Sequence, residues 1–259
     1  MDLLRETFLA PMGCEFRTRD TRVIERPGWY QVITPSVKDG SRNEVMLSHL
    51  ASDQVDRAID EAVADYRALG LIFRWAATPL CAPSDLAVRL QKRGFESWPA
   101  RGMACETSRE LPAPPRGVTI ERIDRGSVEV YARTSREGWA AEMTFTDGGV
   151  ELLREDLLWS LEQSAPRYAY YLARCDGEPA GTAGVVLKPS CGYLIGANVL
   201  PRFRGRGIYG ALVAARLALL RTTDLGLACT LAREASSAPL LERMGFTTVA
   251  PFEMLRLTP

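Results

Sequence analysis

Apolar residues recur along the C-terminal part of the chain with two different periods. Val118 to Ile123 alternates in the manner of a strand with one buried face. Ser127 to Ala141 and Val150 to Gln163 carry helical spacing. Tyr168 to Ala173, Ala180 to Leu187 and Tyr193 to Leu200 are short apolar runs. The turn residues Asp176-Gly177-Glu178-Pro179 and Lys188-Pro189-Ser190 separate them, which predicts a three-stranded meander. A helix follows from Ile208 to Arg221, then a strand from Leu225 to Leu231 and a helix from Ser236 to Met244 with Gly245 as its stop. Phe252 to Leu257 closes the chain as a strand, with one more strand expected near Thr247. The predicted order is β-α-α-β-β-β-α-β-α-β.

The N-terminal part repeats the end of this pattern. Val55, Ile59, Ala62 and Tyr66 mark a helix from Asp53 to Ala68. Leu69-Gly70-Leu71 opens a strand as Leu225-Gly226-Leu227 does. Leu90-Gln91-Lys92-Arg93-Gly94-Phe95 parallels Leu241-Glu242-Arg243-Met244-Gly245-Phe246, and a methionine follows each phenylalanine at the same interval, Met103 and Met254. Matched spacings of this kind predict an internal duplication. Between the copies lies Ser108 to Gly117, SRELPAPPRG, where Pro112, Pro114 and Pro115 stiffen the chain and forbid a helix. It divides the sequence into residues 1–107, a linker 108–117, and residues 118–259.

Composition narrows the function. The chain has 259 residues, 32 basic and 32 acidic side chains, and 46% hydrophobic residues. That describes a globular protein of one large or two small domains, and the charge balance speaks against a general nucleic-acid binder. No apolar run approaches the ~18 residues of a membrane span, and no signal peptide is visible. The six cysteines are scattered without a C-x-x-C, and the only histidine is His49. No metal site is expected, and reduced thiols in a cytoplasmic protein are the natural reading. A histidine-based triad would have to use His49, and a lone histidine is more often structural.

The chemistry concentrates in Pro201 to Leu212, PRFRGRGIYGAL. Glycines between a strand and a helix let several backbone amides point to one place, and the helix N-terminus adds partial positive charge. Two signatures overlap here. Gly205, Gly207 and Gly210 spell G-x-G-x-x-G, the dinucleotide fingerprint. That fingerprint needs a first βα unit and an acidic residue ending the next strand. A meander precedes this loop, and Asp224 comes before the next strand, so the context fails. No Gly-Lys-Ser/Thr follows for a Walker loop.

The other signature, R-x-x-G-x-G in Arg202, Gly205 and Gly207, has its context. Val199-Leu200-Pro201-Arg202-Phe203-Arg204-Gly205-Arg206-Gly207-Ile208, followed by Leu240-Leu241-Glu242-Arg243-Met244-Gly245-Phe246, resembles the GNAT acyltransferase superfamily. The resemblance covers Val118 to Pro259 well and the N-terminal part through the repeat. It implies an α/β (α+β) fold with a mixed, mostly antiparallel central sheet flanked by helices, and two GNAT-like domains in tandem. Residues 1–107 would be a degenerate domain without a CoA loop, since LSHLASDQ stands where the loop would be; residues 118–259 would be catalytic.

The family resemblance also implies a site. Backbone amides from Arg202 through Phe203, Arg204, Gly205, Arg206 and Gly207 to Ile208 and Tyr209 would hold the pyrophosphate of acetyl-CoA. Asn198, Val199 and Leu200 would pair with the pantetheine arm as an added strand, and a backbone N–H near Val199 would meet the oxyanion. An amine would attack the thioester directly, without an acyl-enzyme. The candidates for the general base are Tyr193, though such a tyrosine is more often a packed core aromatic, and Glu142, with Asp147 beside it and Trp139 and Phe145 as possible walls; surface carboxylates are usually solvated. Ser236 would either contact pantetheine or cap a helix. The match departs at Leu241, where many relatives place a proton-donating tyrosine. The expected reaction is acetyl transfer to the amine of a small molecule, with no nucleic-acid or membrane partner. Other acyl-CoA donors, a carrier protein, a hydroxyl acceptor, and a CoA-binding regulator without catalysis stay open.

Overall fold

The computed structural model describes residues 2–14, 19–140, 149–163 and 167–259. In chain order the elements are α1 (Leu3–Leu9), β1 (Arg22–Arg26), β2 (Trp29–Ile33), β3 (Glu44–Ser48), α2 (Val55–Ala68), β4 (Phe73–Ala77), α3 (Leu86–Gln91) and β5 (Glu96–Glu106). They continue with β6 (Val118–Arg122), α4 (Val128–Trp139), α5 (Gly149–Leu161), β7 (Tyr168–Cys175), β8 (Glu178–Leu187), β9 (Gly192–Val199) and a single 3-10 turn at Pro201–Phe203. The last are α6 (Ile208–Leu220), β10 (Leu227–Arg233), α7 (Ser237–Arg243) and β11 (Thr247–Leu257). No helix among the described residues is long and apolar enough to cross a membrane.

The chain divides into two compact units: residues 1–103 with 231–239 and 248–259, and residues 104–230 with 240–247. In the first unit the strand order is β1-β2-β3-β4-β11-β5. β1 to β3 are antiparallel neighbours, α2 crosses over to make β3 and β4 parallel, and β11 runs antiparallel to β4 with Glu253 opposite Ala77 and Leu257 opposite Phe73. The helical spacing of α2 puts Val55, Ile59, Ala62, Val63 and Tyr66 on one buried face. They pack with Trp29, Phe73, Trp75 and Phe95; the Tyr66 and Phe73 rings stack at 4.0 Å and Trp29 meets Trp75 edge-on at 5.5 Å. Each of these large side chains removed from water contributes about 1.5–3 kcal/mol. Leu69-Gly70-Leu71 does not open a strand as the pattern suggested. The Leu71 amide donates back to the Tyr66 carbonyl, closing α2, and β4 begins two residues later at Phe73.

In the second unit the order is β10-β9-β8-β7-β6, antiparallel except for the β9–β10 pair that α6 connects. β7 and β8 turn through Asp176 and Gly177, both with positive φ, the backbone a two-residue hairpin requires. The two predicted early helices, the meander and the later helices all stand, with boundaries moved by one to a few residues. The short strand expected near Thr247 and the one at Phe252 are a single strand, β11; Pro251 within it disguised the continuity. The fold is mixed α/β with largely antiparallel pairing flanked by helices, as the resemblance implied.

The duplication runs deeper than the sequence showed. β1-β2-β3-α2-β4-α3-β5 and β7-β8-β9-α6-β10-α7-β11 present seven elements in the same order. α3 and α7 end alike: Phe95 N donates to Leu90 O and Phe246 N to Leu241 O, around Gly94 at φ 88° and Gly245 at φ 89°. By that order β11 is the counterpart of β5, and it is β11 that pairs with β4.

Candidate active site

β9 is not a regular strand. Thr182 lies opposite Asn198 and Gly184 opposite Ile195, so Gly196 and Ala197 share the space of one partner on β8. This bulge bends β9 and strengthens its twist. On its other edge β9 pairs with β10 only through Gly192–Ala228 and Tyr193–Cys229. One further tie joins them, from the Thr230 hydroxyl to the Leu194 carbonyl at 2.9 Å. The two parallel strands then part, and β9 runs on to Val199 with that edge unpaired among the described residues of the unit.

The chain turns sharply where β9 ends. Leu200, fully buried, donates its amide to Ala180 O at 2.9 Å, and Pro201 begins the 3-10 turn. Gly205 has φ 79° and Gly207 φ 72°, the left-handed region where side chains are strained. A Cβ on Gly205 would meet nothing within 4 Å, whereas one on Gly207 would lie 2.7 Å from Pro115 Cγ. Gly205 thus faces open space and Gly207 is also held by packing. Gly207 is the N-cap of α6, whose first turn carries no acidic residue. The first amides of such a helix have no partner within the helix, so they point at whatever sits over the loop.

The loop arginines are not free cations. Arg202 forms an ion pair with Glu137 from the last turn of α4. The Arg204 Nε donates to the Val199 carbonyl at 3.3 Å. The Arg206 guanidinium lies 3.8 Å from Asp176 Oδ2 and 3.5 Å from Cys175 Sγ. Arg202 and Arg206 both lie over the buried Phe203 ring, at 5.0 and 5.7 Å.

Asn198 is buried, and its Nδ2 donates to Thr182 Oγ1 at 2.9 Å while Oδ1 has no hydrogen-bond partner among the described residues. Gly138 of α4 packs against that amide so closely that any side chain there would collide with it. Tyr193 is buried on β9 beside Cys229. Tyr209 is partly buried in the first turn of α6, and burial pushes its hydroxyl pKa up. Ile208 is buried in the same turn. Ser236 falls in the first unit, exposed in the turn leading into α7. Glu142, Asp147 and Phe145 lie outside the described residues. Leu241 is 1% exposed, a core residue with no donor. His49 is exposed, with Nδ1 3.0 Å from the Leu80 carbonyl.

Several residues that shape this region went unremarked in the sequence. Arg216 of α6 is 2% exposed and donates to the carbonyls of Leu212 at 2.9 Å and Gly184 at 3.3 Å, so it satisfies a carbonyl at the β8–β9 bulge. Burial pulls its guanidinium below the usual arginine range, and the hydroxyls of Tyr209, Tyr131 and Tyr171 offset part of that. Glu137, Gly138 and Thr182 meet the site only through long-range folding, and no spacing announces them.

Residues 132–246 match the model of the Acetyltransferase (GNAT) family. This stretch runs from within α4 through the arginine loop to Phe246, just past α7. The chain carries a GNAT domain. Solved structures extend the likeness of fold beyond that domain. A GCN5-related N-acetyltransferase from Kribbella flavida superposes with a TM-score of 0.68 at 17% identity, over 96% of this chain and 94% of that one. A functionally unknown conserved protein from Staphylococcus epidermidis gives 0.67 at 14% identity, over 93% and 95%. A tandem GNAT protein from the clavulanic acid biosynthesis pathway gives 0.55 at 15% identity, over 93% and 84%. At these identities the likeness is one of fold. No curated protein matches the sequence. The GNAT reading of R-x-x-G-x-G therefore stands over the dinucleotide reading of the same glycines.

Proposed function

We propose that the chain transfers an acetyl group from acetyl-CoA to the amine of a small molecule, by direct attack on the thioester. The observation that carries this reading is the parting of β9 from β10 after Tyr193 and Cys229, with β9 leading straight into the arginine loop. An extended ligand arm fits an unpaired strand edge as an added strand. The edge at Asn198, Val199 and Leu200 would hold pantetheine, and the amides from Arg202 to Tyr209 would hold the pyrophosphate. A Val199 N–H placed at the thioester oxygen would stabilise charge as it develops there. The open space over Gly205 suits a bulky phosphate, and a side chain there would fill it.

The amine must be neutral before it attacks, so a carboxylate, Tyr193 or water takes its proton; Glu142 is the carboxylate candidate from the sequence. Attack forms the C–N bond and breaks C–S, and the proton passes on to the CoA thiolate. Leu241 cannot relay that proton, so another group or water does, or the thiolate leaves unaided. Residues 118–259 would form the catalytic domain, joined by the linker 108–117 to a degenerate GNAT-like domain in residues 1–107. The scattered cysteines of the sequence, with no C-x-x-C among them, suit a reducing, cytoplasmic setting.

The test is a thermal shift with acetyl-CoA beside desulfo-CoA and NAD. Ligand at 100 times Kd adds about 2.7 kcal/mol, which raises Tm by roughly 5–10 °C in a chain of this size. A rise with both CoA compounds and none with NAD supports the reading and justifies a thiol-release screen over amines. A rise with NAD alone ends it. The buried Leu241 favours a second reading, a CoA-binding regulator, which predicts the same shift with no thiol release for any amine, hydroxyl compound or acyl donor.

A further inference from the structure

The two arginines that flank Phe203 are each tied to a carboxylate, Arg202 to Glu137 and Arg206 to Asp176. The Glu137 pair is the tighter one. Its partners are 65 residues apart in sequence, and both side chains are 51% exposed. Glu137 sits in the last turn of α4, and the next residue, Gly138, packs on the Asn198 amide. The end of α4 is thus fastened to the end of β9 twice, once by close backbone approach and once by charge. A half-exposed ion pair adds little to fold stability. What it does is occupy the guanidinium of the first arginine of the loop, at the entrance to the glycines. A pyrophosphate bound over that loop would need the same guanidinium, and it would repel the carboxylate that holds it.

We propose that Glu137 is a positioning residue of the acyl-CoA site, holding Arg202 against α4 until the pyrophosphate takes the guanidinium over, and thereby setting the affinity for CoA. This rests on the acyl-CoA reading above. Glu137 competes with the ligand for one side chain, so its removal strengthens binding and does so only while Arg202 is present.

The experiment is a double-mutant cycle read by calorimetric titration of CoA into the full chain: wild type, Glu137→Gln, Arg202→Gln and the double variant. Glu137→Gln is expected to bind CoA about 2- to 5-fold more tightly at low ionic strength, with the gain shrinking at high salt. Arg202→Gln is expected to bind about tenfold more weakly, and adding Glu137→Gln to it should change nothing more. Ligand-free melting temperatures across the four proteins check that each is folded. Affinity unchanged or weakened in Glu137→Gln overturns the proposal. So does an equal gain in the Arg202→Gln background, which would mean long-range repulsion instead of a shared guanidinium. Failure of the wild type to bind CoA is a distinct result: it removes the acyl-CoA reading itself, and the proposal with it.

Discussion

After Val45 and Trp75 the parallel strands β3 and β4 part, and after Tyr193 and Cys229 β9 and β10 do the same. Each pair is joined by a crossover helix and is in register over two residue pairs among the described residues. Past the point of parting, the two copies differ. In the N-terminal half the chain fills its own gap. Ala82 bridges His49, its amide donates to Ser48 O at 3.0 Å, and Leu50 N donates to Ala82 O at 3.1 Å. The Trp75 indole donates to Ser48 Oγ at 3.0 Å and seals the space below. In the C-terminal half the corresponding edge of β9 stays unpaired among the described residues and runs into glycines and arginines. The same splay therefore serves as a closed joint in one copy and as an open slot in the other. A segment of backbone does in the first what an extended ligand arm would do in the second.

Breaking the closed joint should cost stability without touching ligand binding. Trp75 is fully buried, and Trp75→Ala should cost about 3–5 kcal/mol, lowering Tm by about 10 °C. Desulfo-CoA affinity, titrated well below the melt, should stay within about twofold, since nothing in the loop depends on Trp75. A matching loss of affinity would mean that the two copies are not independent in energy.

The open slot should answer in the opposite way. Gly205→Val puts a branched side chain at φ 79°, a strain of about 1–3 kcal/mol, and fills the open space over the loop, so CoA affinity should fall about 10- to 100-fold. Ligand-free Tm should fall by roughly 2–10 °C from that backbone strain alone, because the side chain meets no neighbour. Gly207 would be a poorer test, since Pro115 is in the way. Retained affinity in Gly205→Val would remove the loop from the site.

Leu241→Tyr asks whether the missing proton donor can be restored. Leu241 is a core side chain, so the larger ring should overpack and cost about 1–3 kcal/mol, with no gain in thiol release. A gain in turnover would show that the position faces the reaction. The smallest effect is expected for His49→Ala. His49 is exposed and its ring meets one carbonyl, so the loss should stay near 1 kcal/mol and CoA affinity should not change. An abolished activity in folded His49→Ala would place chemistry in the closed joint.

The sequence disclosed what depends on neighbours in the chain. Arg202, Gly205 and Gly207 form a local signature because a tight strand-to-helix turn needs those backbone angles, and the Gly94-Phe95 and Gly245-Phe246 stops are legible for the same reason. The bulge in β9 left only Gly196 as a trace, and a glycine in a strand is too common to decode. β1, RVIER, mixes charge and hydrocarbon so evenly that its period is lost. Glu137, Thr182 and Arg216 reach the site from distant segments. Their roles are properties of packing, and no motif carries them.

The pairing of β11 with β4 reaches beyond geometry into how the protein must be made. The strand that completes the first unit is encoded downstream of the second unit, so the N-terminal half cannot finish its sheet while the ribosome is still reading the C-terminal half. A stop codon between α7 and β11 would strip a strand from the first unit. Cutting the gene at the proline-rich linker would have the same effect, leaving β4 with a bare edge ready to pair with another chain.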